Sequence, residues 1–301
     1  MNMDLVARVA DAYLQTAEGP DAARLRFFEG LWDVQSGIEA KDRPYQAADA
    51  AAAREALLSG KPLFLLSAPE VRLAEYEDAV SRIAVYASDM AGLPAEQAEA
   101  LRDADFSAAI GEKRLAGAVH SAETFVEAVA ADMGAQPDGP LTPATVAFVL
   151  ISALVPFLIG PSRSAINALG DADLSVWTMG TCPVCGTMAS LGRMGEGSTA
   201  QGARRTLWCG QCHAEWDYER IRCVRCGCRD AGKFHYSHVE GDPAHRVHLC
   251  DECHGYTRFV FINDLDKPVS MVVEDVVSVF LDAAAQEQGY TTSGDGSAVS
   301  C

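Results

Sequence analysis

Cys182-Pro183-Val184-Cys185, Cys209-Gly210-Gln211-Cys212, Cys223-Val224-Arg225-Cys226 and Cys250-Asp251-Glu252-Cys253 decide how this chain folds. Each is a CxxC pair, and the last two pairs repeat the first two at an offset of 41 residues: 182 to 223, 185 to 226, 209 to 250 and 212 to 253. Within each half, 23 residues separate one pair from the next. A shared offset across four positions marks a duplicated unit. A CxxC turn aims two thiolates at one point, and two such turns complete a tetrahedral four-sulfur site. The spacing predicts two tandem metal-knuckle modules.

Sequential pairing makes one site of Cys182, Cys185, Cys209 and Cys212 and another of Cys223, Cys226, Cys250 and Cys253, each a self-contained pair of hairpins. A cross-braced pairing has equally uniform spacing and stays open, as do disulfide or dithiol redox pairs. Cys228 lies two residues beyond Cys226, but Thr187 occupies the equivalent place in the first module, so Cys228 is expected to be a thiol outside the ligand set. Cys301 sits in a polar tail. His213 and His254 follow the last cysteine of their modules at the same offset and are expected to pack against the sites rather than ligate. Gly186 and Gly227 follow the first pairs, where the knuckle backbone must turn its amides toward sulfur. Four thiolates suit zinc, which would be structural, and equally a single rubredoxin-like iron, which could change redox state.

Composition narrows the class. The 301 residues are 49% hydrophobic and 22% charged, as in a globular protein with a sizeable core. The net charge of -18 argues against a nucleic-acid partner. Locally the sign reverses: seven arginines stand against four acids between Arg193 and Arg229. Such a cluster can compensate a metal–thiolate centre or bind an anion. The opening residues lack a basic stretch followed by an apolar core, so no secretory signal is expected. Paired CxxC spacing without such a signal points to metal binding in a reducing, cytoplasmic compartment.

The N-terminal part, 1–176, is expected to be all-α. Leu5, Val6, Val9, Ala10 and Tyr13 fall on one helical face, and Leu25, Phe28, Leu31 and Trp32 on another. Further helices are expected at about 46–59, 69–90, 95–110 and 111–133, with a loop over 36–46. Residues 139–162 carry no charge, but their apolar centre, Val146 to Ile159, is only 14 residues and contains Pro156. A bilayer needs about 20 apolar residues. Thr142-Pro143 is a helix start, so this stretch is expected to be the buried central helix of the domain, with a short helix at 162–169 after it. No phosphate loop, acid/base pair or Ser/His/Asp pattern is visible in this half, and no catalytic residue is assigned anywhere.

From Trp177 the pattern becomes short glycine-punctuated segments, divided into modules 177–221 and 222–267. Strands are expected at 204–208 and 246–249 before the second pairs, and at 218–221 and 256–262 after them. Residues 268–290 should form a C-terminal helix with Val272, Val273, Val276, Val277, Phe280 and Leu281 on its apolar face, and 291–301 a flexible tail. The fold class expected is α+β: a helical domain, two tandem rubredoxin-like or zinc-ribbon modules, and a closing helix.

Residues between the cysteines carry a further pattern. Arg205, Leu207, Glu215 and Trp216 flank the second pair, Arg220 precedes the third and Tyr256 follows the fourth. The last helix reads Glu274-Asp275 through Ser278 to Leu281-Asp282. Over about 182–290 this resembles the formate dehydrogenase accessory protein family, often called FdhE. Arg258 stands where the family pattern suggests lysine, and Gly202 is displaced from a usual glycine. The resemblance implies a cytoplasmic, non-enzymatic assembly factor. Such a factor binds the catalytic subunit of a molybdenum-containing formate dehydrogenase, often before twin-arginine export, and its rubredoxin-like sites favour iron over zinc. Two competing readings remain: a nucleic-acid-binding zinc ribbon built on the arginine cluster, and a redox protein that uses iron sites.

Overall fold

Apolar side chains recurring at helical spacing build the N-terminal half, and local caps set where each helix begins. The computed structural model describes residues 1–38, 45–170, 174–199 and 202–293. The helices are α1 (Met3–Leu14), α2 (Gly19–Ser36), α3 (Ala50–Leu58), α4 (Leu63–Leu66), α5 (Leu73–Met90), α6 (Ala95–Arg102), α7 (Phe106–Ile110), α8 (Glu112–Ala118), α9 (Ala122–Asp132) and α10 (Pro143–Ala168). Asn2 caps α1, Asp49 caps α3 and Thr142 caps α10, each side chain accepting from a backbone amide of the first turn. The helices expected at 95–110 and 111–133 are instead four short ones, α6 to α9. The positive φ of Gly111, +62°, separates α7 from α8. Pro44 of the expected loop lies outside the described residues.

The central helix is longer than its sequence suggests. Pro156 and Pro161 both lie inside α10, which absorbs the separate helix expected at 162–169. An interior proline forfeits a hydrogen bond and crowds the preceding turn. Here Val155, Phe157, Leu158, Ser162 and Ala165 are buried on either side of the prolines, so packing holds the helix through both. By length and composition α10 could cross a membrane, but half of its most apolar window is buried inside the protein. Buried neighbours also bond to it: Tyr76 donates to the Leu150 carbonyl at 2.8 Å and Gln35 to that of Ser152 at 2.8 Å.

The metal half is one sheet. Its strands are β1 (Leu191–Thr199), β2 (Gly202–Trp208), β3 (Glu215–Asp217), β4 (Phe234–Ser237), β5 (His245–Cys250) and β6 (Gly255–Phe261). They lie in the order β3-β2-β1-β6-β5-β4. Each module is an antiparallel three-stranded meander, and the two join where β1 pairs in parallel with β6, from Leu191 opposite Arg258 to Met194 opposite Phe261. The duplicated units thus stack head to tail. The sequence signals missed β1, which is rich in glycine, and the short strands β3 and β4. The strand expected at 218–221 is absent: β3 stops at Asp217, and the chain leaves the sheet to link the modules.

The C-terminal helix is also two, α11 (Met271–Val277) and α12 (Phe280–Glu287). The break lets the two helices face different partners. Val273 and Val276 pack with Val6, Val9 and Trp32 of the helical half, while Leu281 and Ala285 pack on Val247, Leu249 and Tyr256 of the sheet. Thr291, expected in the tail, is tied down: its amide donates to the His254 carbonyl at 2.8 Å, and its own carbonyl accepts from Tyr256 at 3.1 Å. The remainder of the tail, 294–301 with Cys301, lies outside the described residues.

Candidate metal centres

The knuckle turns repeat at the level of single hydrogen bonds. In the first module Cys182 N donates to Thr187 O (2.7 Å) and Gly186 N to Cys182 O (3.0 Å). In the second, Cys223 N donates to Cys228 O (2.8 Å) and Gly227 N to Cys223 O (3.0 Å). The residue after each second cysteine has positive φ: Gly186 at 82°, His213 at 59°, Gly227 at 79° and His254 at 49°. Two of the four turns therefore place a histidine in the left-handed region, where a side chain is normally disfavoured. Their shared offset reflects this backbone position. The His213 ring lies 5.2 Å from that of Trp208, and the His254 ring 6.0 Å from that of Tyr290. Burial holds His213 down to about 4, so the imidazole is neutral.

The sulfurs converge in the sequential arrangement. Cys182, Cys185, Cys209 and Cys212 form one group and Cys223, Cys226, Cys250 and Cys253 another, with all four ligand atoms of each within 4.8 Å of one another. In the first group Cys182–Cys212 and Cys185–Cys209 are each 3.5 Å apart; in the second Cys223–Cys253 is 3.8 Å and Cys226–Cys250 3.9 Å. A tetrahedron of bonds of about 2.3 Å has sulfur–sulfur edges of about 3.8 Å. A disulfide is far shorter, about 2.05 Å, and all eight of these cysteines are free. Burial pushes the thiols of Cys182, Cys209 and Cys250 up, the last to about 12, so four thiolates at such a point need a cation among them. The donors fit a metal ion, and a four-sulfur cage suits zinc and iron alike.

Cys228 is fully buried beside the second group but outside it, and its sulfur accepts from the Asp230 amide at 3.4 Å. The arginine cluster is largely occupied with structure. Arg193 pairs with Glu215, Arg204 with Asp217 and Arg229 with Glu219. Arg222 and Arg225 donate to backbone carbonyls. Arg205 is 4% exposed, with its guanidinium 4.3 Å from the centre of the Phe259 ring. It donates to the carbonyls of Glu219, Arg220 and Arg222 at 2.9–3.0 Å and so ties down the linker between the modules.

Residues 221–297 match the family model described as FdhE, C-terminal domain. Over these residues the chain is similar to the FdhE family. Over 113 residues the chain is 34% identical to "Protein FdhE" of Escherichia coli (strain K12), and equally so to that of E. coli O9:H4 (strain HS). Each match takes in 37% of this chain and 35% of the relative, so it spans about a third of the length of these curated FdhE proteins. The crystal structure of the FdhE protein from Pseudomonas aeruginosa superposes with a TM-score of 0.58 over 97% of this chain and 94% of that one, at 22% identity. The FdhE fold therefore extends through the helical half as well.

Two features of that pattern acquire a role here. Arg258 donates to the Asp275 carbonyl and carboxylate, both at 2.6 Å, and to the Ser278 hydroxyl at 2.9 Å, and it pairs with Asp282 at 3.0 Å. A lysine could not fork in this way. Glu274, fully buried on α11, accepts from Tyr13 of α1 at 2.8 Å and pairs with His245 of β5 at 2.9 Å; His245 also pairs with Asp242 at 2.7 Å. This relay ties the first helix, the second module and the closing helices together. Sequence reasoning missed His245. Its one signal was a histidine in an otherwise buried position of an alternating strand.

Proposed function

We propose that the protein is an accessory factor, itself without catalysis, for a molybdenum-containing formate dehydrogenase, and that it binds that enzyme's catalytic subunit in the cytoplasm. The observation that carries the reading is the joint occurrence of an FdhE C-terminal domain and two convergent four-cysteine groups in one chain. In this proposal the eight cysteines are the ligands of two metal ions, iron by resemblance to the family and zinc as the alternative. Both cages have their four protein ligands, which leaves no open position for a substrate and supports a scaffold role. The organisation proposed is a helical domain to residue 176, modules at 177–221 and 222–267, a closing helical segment to 290, and a tail.

Copurification of the full chain with a formate dehydrogenase catalytic subunit, and loss of formate dehydrogenase activity in a deletion strain, are the expected results. No association together with normal activity would contradict the proposal. The nucleic-acid reading is weakened because the arginines it rests on are committed to carboxylates and carbonyls within the protein.

A further inference from the structure

The seam between the helical half and the first module holds a cavity of about 610 Å³, within the size range of small-molecule sites. Its wall is unusual for a chain of net charge -18, because three cationic side chains, Arg163, Arg193 and Lys267, line it against a single carboxylate, Glu215. Arg193 and Glu215 pair with each other at 2.9 Å. Lys267 pairs with its exposed neighbour Asp266 and lies 5.3 Å from the centre of the Tyr13 ring; water largely screens the ion pair on the Asp266 side. Arg163 makes no ion pair among the described residues. Asn167 and the hydroxyls of Ser162 and Ser270 add neutral polar groups, and Trp208 with Leu5, Val6 and Ile166 supplies an apolar side.

Arg163 has no acid partner among the described residues and the acid paired with Lys267 is exposed, so the site keeps a positive charge that an entering anion would neutralise, and a guanidinium offers a carboxylate or phosphate two parallel hydrogen bonds. We propose that this cavity binds a small organic anion, its carboxylate or phosphate held between Arg163 and Lys267 and its apolar body laid against Trp208. The cavity shares Cys212 and His213 with the wall of the first metal group, so an occupant would sit beside that site. The inference is independent of the accessory role.

The test uses the metal-loaded full chain, with phenyl phosphate, benzoate and inorganic phosphate as probes. Tryptophan fluorescence and titration calorimetry report binding, and Trp208→Phe identifies the reporting indole. The expected result is saturable binding of at least one organic anion, weakened by salt and tighter than that of inorganic phosphate. Arg163→Ala should weaken it by about tenfold or more. Arg54→Ala, on an exposed position outside the cavity, should leave it unchanged. Arg163 is itself exposed, so its loss should not unfold the chain. No saturable binding of any probe below about 1 mM would overturn the proposal. So would binding of inorganic phosphate alone, or affinities unaltered in both Arg163→Ala and Lys267→Ala.

Discussion

The two metal modules share a backbone and differ in almost everything around it. The first group is sealed: Cys182, Cys185, Cys209 and Cys212 are each at most 1% exposed and belong to the main core together with Phe64, Leu154 and Phe157 of the helical half. Two helix amides grip its first knuckle, Leu63 N on Pro183 O at 2.9 Å and Phe64 N on Val184 O at 2.8 Å. The second group forms a satellite cluster of its own; Cys223 is 7% exposed and Cys226 is only half-buried. Duplication therefore determines how sulfur is presented, whereas the elements outside the repeat determine how deeply each site is held. Exchange of a metal needs an incoming ligand or proton at sulfur, so the two sites should differ in lability.

Breaking the sealed site should have the largest effect. Cys209→Ser is expected to leave one metal per chain and to destabilise the whole protein by several kcal/mol, about 3 or more, because the lost ligand lies in the shared core. Cys226→Ser should also leave one metal while the helical half keeps its circular dichroism and most of its unfolding midpoint. Metal analysis alongside thermal unfolding distinguishes the two variants. If both unfold alike, the asymmetry is wrong.

The join between the modules comes next. Arg205→Met removes the donor shared by three linker carbonyls, and a loss of about 2–3 kcal/mol in chemical denaturation is expected, with both metals still bound. A smaller effect comes from the relay that anchors the second module. Burial alone would lower the His245 pKa, but its hydrogen bonds to Asp242 and Glu274 win and raise it to about 9, above its unfolded value near 6.5. A raised folded pKa gives stability that is fully present below about 6.5 and lost as pH rises through about 9. Denaturation across that window should show a decline on the order of 2 kcal/mol in the native chain and a flatter profile in His245→Gln. Smallest of all, Cys228→Ala should cost about 1 kcal/mol, the price of a small cavity, and leave two metals bound.

How legible the chain was in advance follows the same physical division. Thiol convergence was readable because ligand spacing is local: an offset of 41 residues and two residues between partners fix the knuckles before any packing. Helix existence was readable from periodic apolar faces such as Val6, Val9 and Ala10. What escaped depended on distant partners. Pro156 and Pro161 suggested ends that burial of α10 overrides. Val273 and Leu281 looked like one face, yet they pack on different halves, which splits the closing helix. His245 gave only the weak signal of a polar residue at a buried strand position, because its meaning comes from Tyr13 and Glu274, which lie on other elements far along the chain.

Metal release under chelator challenge tests the central claim most directly, with released metal and far-ultraviolet dichroism followed on the same sample. Two metals per chain are expected, leaving in two phases. The first should depart with little change in helix signal and be the one missing in Cys226→Ser; the second should depart only as the helices unfold. Release of both in one phase, or fewer than two metals bound at the start, would contradict the account.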